Sequence, residues 1–207
     1  MINARDALEK LREGNQRFAN DVRKVDGSFS MRRASLVDRQ FPFAIVLGCS
    51  DSRVPAELVF DQGVGDLFVI RVAGNIVAPS QVGSVEFAAT RFKTRLVVVL
   101  GHSQCGAILA ALEELRTPVQ DQSINLRSIV ERVRPSVEPL LESPLAKDEN
   151  ALIHQAVRAN VRASANHLRH GSAILESLIA NEGLRVVGGE YSLETGEVDF
   201  FDGVPDL

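Results

Sequence analysis

Phe43-Ala44-Ile45-Val46-Leu47-Gly48 runs straight into Cys49-Ser50-Asp51-Ser52-Arg53. The apolar run is short, rich in β-branched residues and stopped by a glycine. It reads as a strand buried on both faces, the kind found in a parallel sheet. A second stretch repeats the pattern: Leu96-Val97-Val98-Val99-Leu100-Gly101, then His102-Ser103-Gln104-Cys105. In each case the reactive residues follow the carboxyl end of a strand. In an open α/β sheet that edge is where ligands bind.

Working outward, Leu67 to Val72 is another short strand, bounded by Gly65 and Gly74. Leu184 to Tyr191 is a fourth. Glu194-Thr195-Gly196-Glu197 is a hairpin turn into a fifth, Val198 to Phe201. Helical spacing of apolar residues fills the gaps at about 80–93, 106–116 (ended by Thr117-Pro118), 149–170 and 172–181. Leu126, Ile129, Val130, Val133, Val137 and Leu140 give the clearest helical period, which Pro135 is expected to kink or split. At the start, Asn3 caps a helix that runs to Phe18, with Gly14 weakening it slightly. Residues 21–40 read as a polar connection with one turn of helix near 31–36. Strands alternating with helices predict an α/β fold, a mostly parallel central sheet with helices on both faces. The expectation is one domain over 1–207, with an N-terminal helical arm over about 1–40.

Composition narrows the function. A chain of 207 residues is long enough to bury a sizeable core. Its net charge of −4 lacks the basic surplus that nucleic-acid binding needs, so no nucleic-acid partner is expected. No apolar stretch approaches membrane-spanning length, and the charged first residues hold no signal core, so a cytoplasmic protein is expected. Two cysteines make no disulfide framework; in a reducing compartment such a pair binds metal or does chemistry.

Metal is the reading the positions favour. Zinc takes thiolate sulfur and imidazole nitrogen, and Cys49, His102 and Cys105 supply three such donors. His-x-x-Cys sets two on one turn, while 52 residues separate Cys49 from His102, a gap that suits a site built between neighbouring strands. Three protein ligands leave a fourth position for water, the arrangement of a catalytic centre. Two thiolates cancel the charge of Zn²⁺, so hydrogen bonds around the centre gain importance. Asp51 and Arg53 alternate along an extended segment and point the same way. Arg53 can hold the Asp51 carboxylate bidentately, leaving it to orient the attacking water; released, Asp51 could ligate the metal. Taken singly, buried cysteines and a lone histidine are more often core filler. A redox dithiol lacks Cys-x-x-Cys. Gly101 to Gly106 has phosphate-loop spacing, but Ala107 and Ile108 stand where Lys and Ser/Thr are needed. His167 and His170 read as a solvated helix face, and His154 as surface or interface.

Cys49 to Glu57 (Cys-Ser-Asp-Ser-Arg-Val-Pro-Ala-Glu) and Gly101 to Ala107 (Gly-His-Ser-Gln-Cys-Gly-Ala) together resemble the β-class carbonic anhydrases. The resemblance implies a zinc lyase, with one Zn²⁺ per chain, that reversibly hydrates carbon dioxide to bicarbonate and a proton. It implies Cys49, His102 and Cys105 as metal ligands and Asp51 with Arg53 as catalytic dyad. It implies a homodimer or homotetramer, and substrate contacts at Gln40, Phe68, Ala73, Phe87 and Gly106, with Gln40 reaching across a dimer interface. Phe87 stands where many members carry Tyr. One subgroup closes its site when the aspartate ligates zinc, and carries a Trp three residues before the first cysteine. Here that residue is Val46, and Gln40 fits the plant-like, open-site subgroup. The alternatives are a carbonyl sulfide or carbon disulfide hydrolase on the same scaffold, and a non-catalytic zinc- or bicarbonate-binding module.

Overall fold

The computed structural model of the chain describes residues 2–22, 29–117 and 123–204. Five strands form one sheet: β1 (Ala44–Gly48), β2 (Leu67–Arg71), β3 (Leu96–His102), β4 (Arg185–Tyr191) and β5 (Val198–Asp202). Their order is β2-β1-β3-β4-β5, with the first four parallel and β5 antiparallel to β4. The chain leaves β1 towards one edge to make β2, then returns past β1 to make β3. The switch point therefore falls between β1 and β3, and in open α/β sheets ligands bind beyond the carboxyl ends of the strands at that point.

Side chains alternate across the sheet. Ile45, Leu47, Val97, Val99 and Val186 face one core, and Ala44, Val46, Leu96, Val98 and Val187 the other. Helices cover both sides. The first core is roofed by α4 (Pro79–Arg91), α7 (Glu149–His170) and α8 (Ala173–Asn181). The second is roofed by α1 (Ala4–Ala19) and the short α3 (Ala56–Val59). A third apolar cluster joins α5 (Gly106–Arg116), α6 (Ile124–Leu141) and α7, and it includes Cys49 and Cys105. The remaining helix, α2, is Phe29–Ser35.

Local chemistry sets the element ends. Asn3 accepts from the Asp6 N–H at 2.9 Å at the head of α1, and Asp148 accepts from Asn150 and Ala151 N–H, both at 3.1 Å, at the head of α7. Gly14 is needed: a Cβ there would stand 1.9 Å from the Phe60 carbonyl oxygen. That close approach lets α1 bury Leu8 and Leu11 in this chain's own core.

One expectation needs correction. Of the kink or split expected at Pro135, the split does not occur; α6 is one helix with Pro135 and Pro139 inside it. Both prolines are exposed, so the carbonyls they free can bond water, while Val130, Val133 and Val137 on the opposite side are buried. Leu126, which opens that helical period in the first turn of α6, is 57 % exposed. Pro118, read as a helix stop, and residues 23–28 of the polar connection lie outside the described residues.

Candidate metal centre

β1 delivers Cys49 and β3 delivers His102 to adjacent positions, since Gly48 pairs with Leu100. The chain then turns through Gln104, whose φ of 54° is left-handed, and sets Cys105 at the head of α5. The two sulfurs and a ring nitrogen of His102 all lie within 4.8 Å of one another, and all three residues are buried. Tetrahedral zinc with ordinary bond lengths needs donors roughly 3.5–3.8 Å apart.

The histidine is prepared for a cation. Its Nδ1 is 2.8 Å from the Ser103 carbonyl oxygen, so Nδ1 carries the proton and Nε2 keeps its lone pair. Nε2 is buried with no hydrogen-bond partner. An orphaned imidazole nitrogen facing two thiols is costly unless something electrophilic occupies the space between them. The donor set and its geometry therefore fit a zinc ion.

The thiols are poised unequally. Cys105 donates its proton to Cys49, and with the His102 ring and the Gly74 and Asp51 N–H groups this brings the Cys49 thiol down to about 4. Cys105, holding that shared proton in a buried place, is pushed up. Burial pushes the His102 imidazole down, and the neighbouring Cys49 sulfur and the Ser103 carbonyl outweigh it. A metal ion displaces protons from such donors, so these directions describe the site before it is loaded.

At the mouth, Arg53 grips Asp51. Nε donates to Oδ1 at 2.9 Å, Nη2 to Oδ2 at 2.7 Å, and the Arg53 backbone N–H to Oδ1 at 2.9 Å. These bonds hold the carboxyl well below the usual carboxylate range. Asp51 Oδ2 stands 3.9 Å from His102 Nε2, beside the centre and turned towards Arg53. Arg71, at the carboxyl end of β2, donates to the carbonyls of Cys49 (3.0 Å) and Asp51 (2.6 Å) and fixes the segment that carries both. Sequence reading passed over Arg71, although it ends an apolar strand just as the ligands do.

The remaining candidates divide. Ala73 adjoins Gly74, whose N–H donates to Cys49 Sγ at 3.3 Å, and Gly106 adjoins Cys105. Both border the centre. Phe68 pairs with Ile45, three residue steps or about 10 Å below the end of β1. It joins Phe87 and Phe92 in an aromatic group, with Phe87 52 % exposed. Gln40 is exposed and precedes Phe43, which lies about 20 Å of strand before Cys49. The structure does not bring Gln40, Phe68 or Phe87 to the thiols of their own chain. His167 and His170 are exposed on α7, and His154 stands 3.2 Å from Glu190.

The chain is similar to known proteins. The carbonic anhydrase family model matches residues 44–198. A carbonic anhydrase of Mycolicibacterium smegmatis is 38 % identical over 204 residues, covering 97 % of this chain and 95 % of that protein. Carbonic anhydrase 2 of Mycobacterium tuberculosis is 36 % identical over 201 residues, covering 97 % and 94 %. Among solved structures, the β-carbonic anhydrase CcaA superposes with a TM-score of 0.76 at 28 % identity, covering 98 % of this chain and 94 % of that one. A structure from a study of two tetrameric β-carbonic anhydrases of Sordaria macrospora gives 0.68 at 28 % identity, covering 82 % and 85 %.

Proposed function

Because this chain belongs to the β-carbonic anhydrase family and is a carbonic anhydrase enzyme, we propose that it reversibly hydrates carbon dioxide to bicarbonate and a proton. The observation that carries the reading is the convergence of Cys49, His102 and Cys105, with the His102 Nε2 lone pair free, beside a carboxylate held by Arg53. Cys49, His102 and Cys105 would hold one zinc ion per chain. So loaded, the centre supplies the Lewis acidity that makes water a nucleophile at neutral pH.

The chain's own residues do the rest. Asp51, kept ionised by Arg53, accepts a hydrogen bond from the attacking water and aims its lone pair at the carbon of CO₂. Held by Arg53, Asp51 would stay off that ion, as in the open-site, plant-like subgroup. Arg71 holds the backbone from which Cys49 and Asp51 project. Ala73 and the backbone at Gly106 line the adjoining space. Gln40, Phe68 and Phe87 stand apart from their own chain's thiols, so they serve the site of a neighbouring copy. The assembly is a homodimer or homotetramer. We take the whole chain as one domain, with α1, α2 and the residues up to Gln40 as its N-terminal arm. The two free cysteines accord with a cytoplasmic enzyme.

Stopped-flow CO₂ hydration run beside a carbonyl sulfide hydrolysis assay tests the reading. Rapid CO₂ turnover with slow or no sulfide release is expected. Preferential release of sulfide would make the chain a hydrolase on this scaffold, and no turnover of either would make it a binding module.

A further inference from the structure

Helix α7 touches both halves of the metal centre without supplying a ligand. Asn160 and Ser164, one helical turn apart, face the short 3₁₀ turn Ala73–Asn75. Asn160 Nδ2 donates to the Gly74 carbonyl at 2.8 Å, and Ser164 Oγ donates to the Asn75 carbonyl at 3.0 Å. Both side chains are buried, at 2 % and 5 % exposure. The turn they hold is not one the chain adopts freely: Gly74 has φ 73° and Asn75 φ 42°, both left-handed. Its outcome is a single backbone donor, the Gly74 N–H, aimed at Cys49 Sγ at 3.3 Å. On the same face of α7, Val157 and Val161 pack so tightly on Gly101, just before His102, that a Cβ at Gly101 would lie 2.5 Å from Val161. One helix thus positions the peptide in front of His102 and the hydrogen bond on Cys49.

We propose that Asn160 and Ser164 are positioning residues for the metal centre, holding the Gly74 N–H on the Cys49 sulfur and so tuning the thiolate as a ligand. The inference rests on the reading of Cys49 as a metal ligand. Its physical basis is simple. With two thiolates on one divalent ion, the ligands donate more charge than imidazoles would, and the metal loses electrophilicity. A hydrogen bond to one sulfur withdraws part of that charge. A turn already set in the left-handed conformation also spares the metal the work of ordering it.

The test uses the full-length protein loaded with Co²⁺ in place of zinc. Its thiolate-to-cobalt charge-transfer band reports electron density at sulfur, and chelator competition with Zn²⁺ reports affinity. Asn160→Asp keeps the shape of the side chain but not the donor, and Ser164→Ala removes the hydroxyl. In both, the band is expected at longer wavelength, with zinc held roughly tenfold more weakly. Leu168→Ala, in the sheet core on the same helix, is expected to lower the melting temperature and leave the band where it is. If Asn160→Asp does not fold, Ser164→Ala decides alone. Wild-type band position and zinc affinity in Ser164→Ala would overturn the proposal, as would an equal shift in Leu168→Ala. A wild-type protein with no thiolate-to-cobalt band would instead overturn the metal-ligand reading beneath it.

Discussion

Asp51 has two places to put its charge: on Arg53, or on a cation beside His102. The structure has it on Arg53 through three hydrogen bonds, a charge-assisted fork; an ion already neutralised by two thiolates would pull on it less. Arg53 itself contacts no donor atom of the centre, and its side chain is 53 % exposed. Arg53→Ala is therefore expected to fold and keep its zinc, while CO₂ hydration falls roughly 10- to 100-fold because Asp51 is no longer held in place. Metal analysis beside stopped-flow rates checks this; wild-type turnover would show that the pair does not orient the reaction. This much of the site is legible in sequence, since reactive residues directly beyond buried strands have few structural reasons to be there. Arg71, Asn160 and Ser164 are not legible. Their partners are backbone carbonyls 20 to 89 positions away, and no local pattern records such a bond.

Among the elements, the strands follow from apolar runs closed by glycine or a charge, and the structure shifts their ends by only one or two residues. Helix α6 is where local reasoning reaches too far: proline chemistry argues for a kink or a split, and the helix is not split, with one buried valine stripe packed against α5 and α7. Gly14 shows the opposite error. A glycine that weakens a helix by propensity is required by packing, because α1 lies directly on the Phe60 carbonyl. Gly14→Ala is expected to destabilise the protein by about 1–3 kcal/mol, as overpacked contacts do, read as a lower melting temperature. β4 carries a buried carboxyl, Glu190, which burial pushes up. His154 and Arg158 of α7 pull it back down, and Asp199 of β5 opposes them. A carboxyl raised above its unfolded value stabilises the fold below the unfolded pKa and loses that contribution as pH rises through the folded one. Arg158 keeps Asp199 at 2.8 Å as a partner if Glu190 is neutralised. The melting temperature of Glu190→Gln, relative to wild type, is thus expected to rise as pH is raised from about 4.5. A pH-independent difference would contradict this account of the burial.

On the scale of the whole molecule, the chain exposes apolar and aromatic groups that its own core does not use. Met31, Val37 and Phe41 are 74 %, 78 % and 65 % exposed along the segment that leads into β1, and Phe87 stands out from α4. On the proposed function, these groups, with Gln40 and Phe68, serve a second copy of the chain. Light scattering at micromolar concentration is expected to give a dimer or tetramer, and an active monomer would contradict the shared site. Sequence made the sheet, its two helical layers and the donor set visible, because each rests on local pattern. It left the separation of Gln40, Phe68 and Phe87 from the thiols hidden, because that separation depends on register and strand length. The most direct test is a titration of the metal-free protein with Zn²⁺ while CO₂ hydration is followed by stopped flow, in wild type and in Cys105→Ser. Wild-type activity should climb from background to a plateau at one zinc per chain, and Cys105→Ser should stay near background at the same metal level. Full activity without zinc, or a wild-type plateau in Cys105→Ser, would contradict the assignment of this centre.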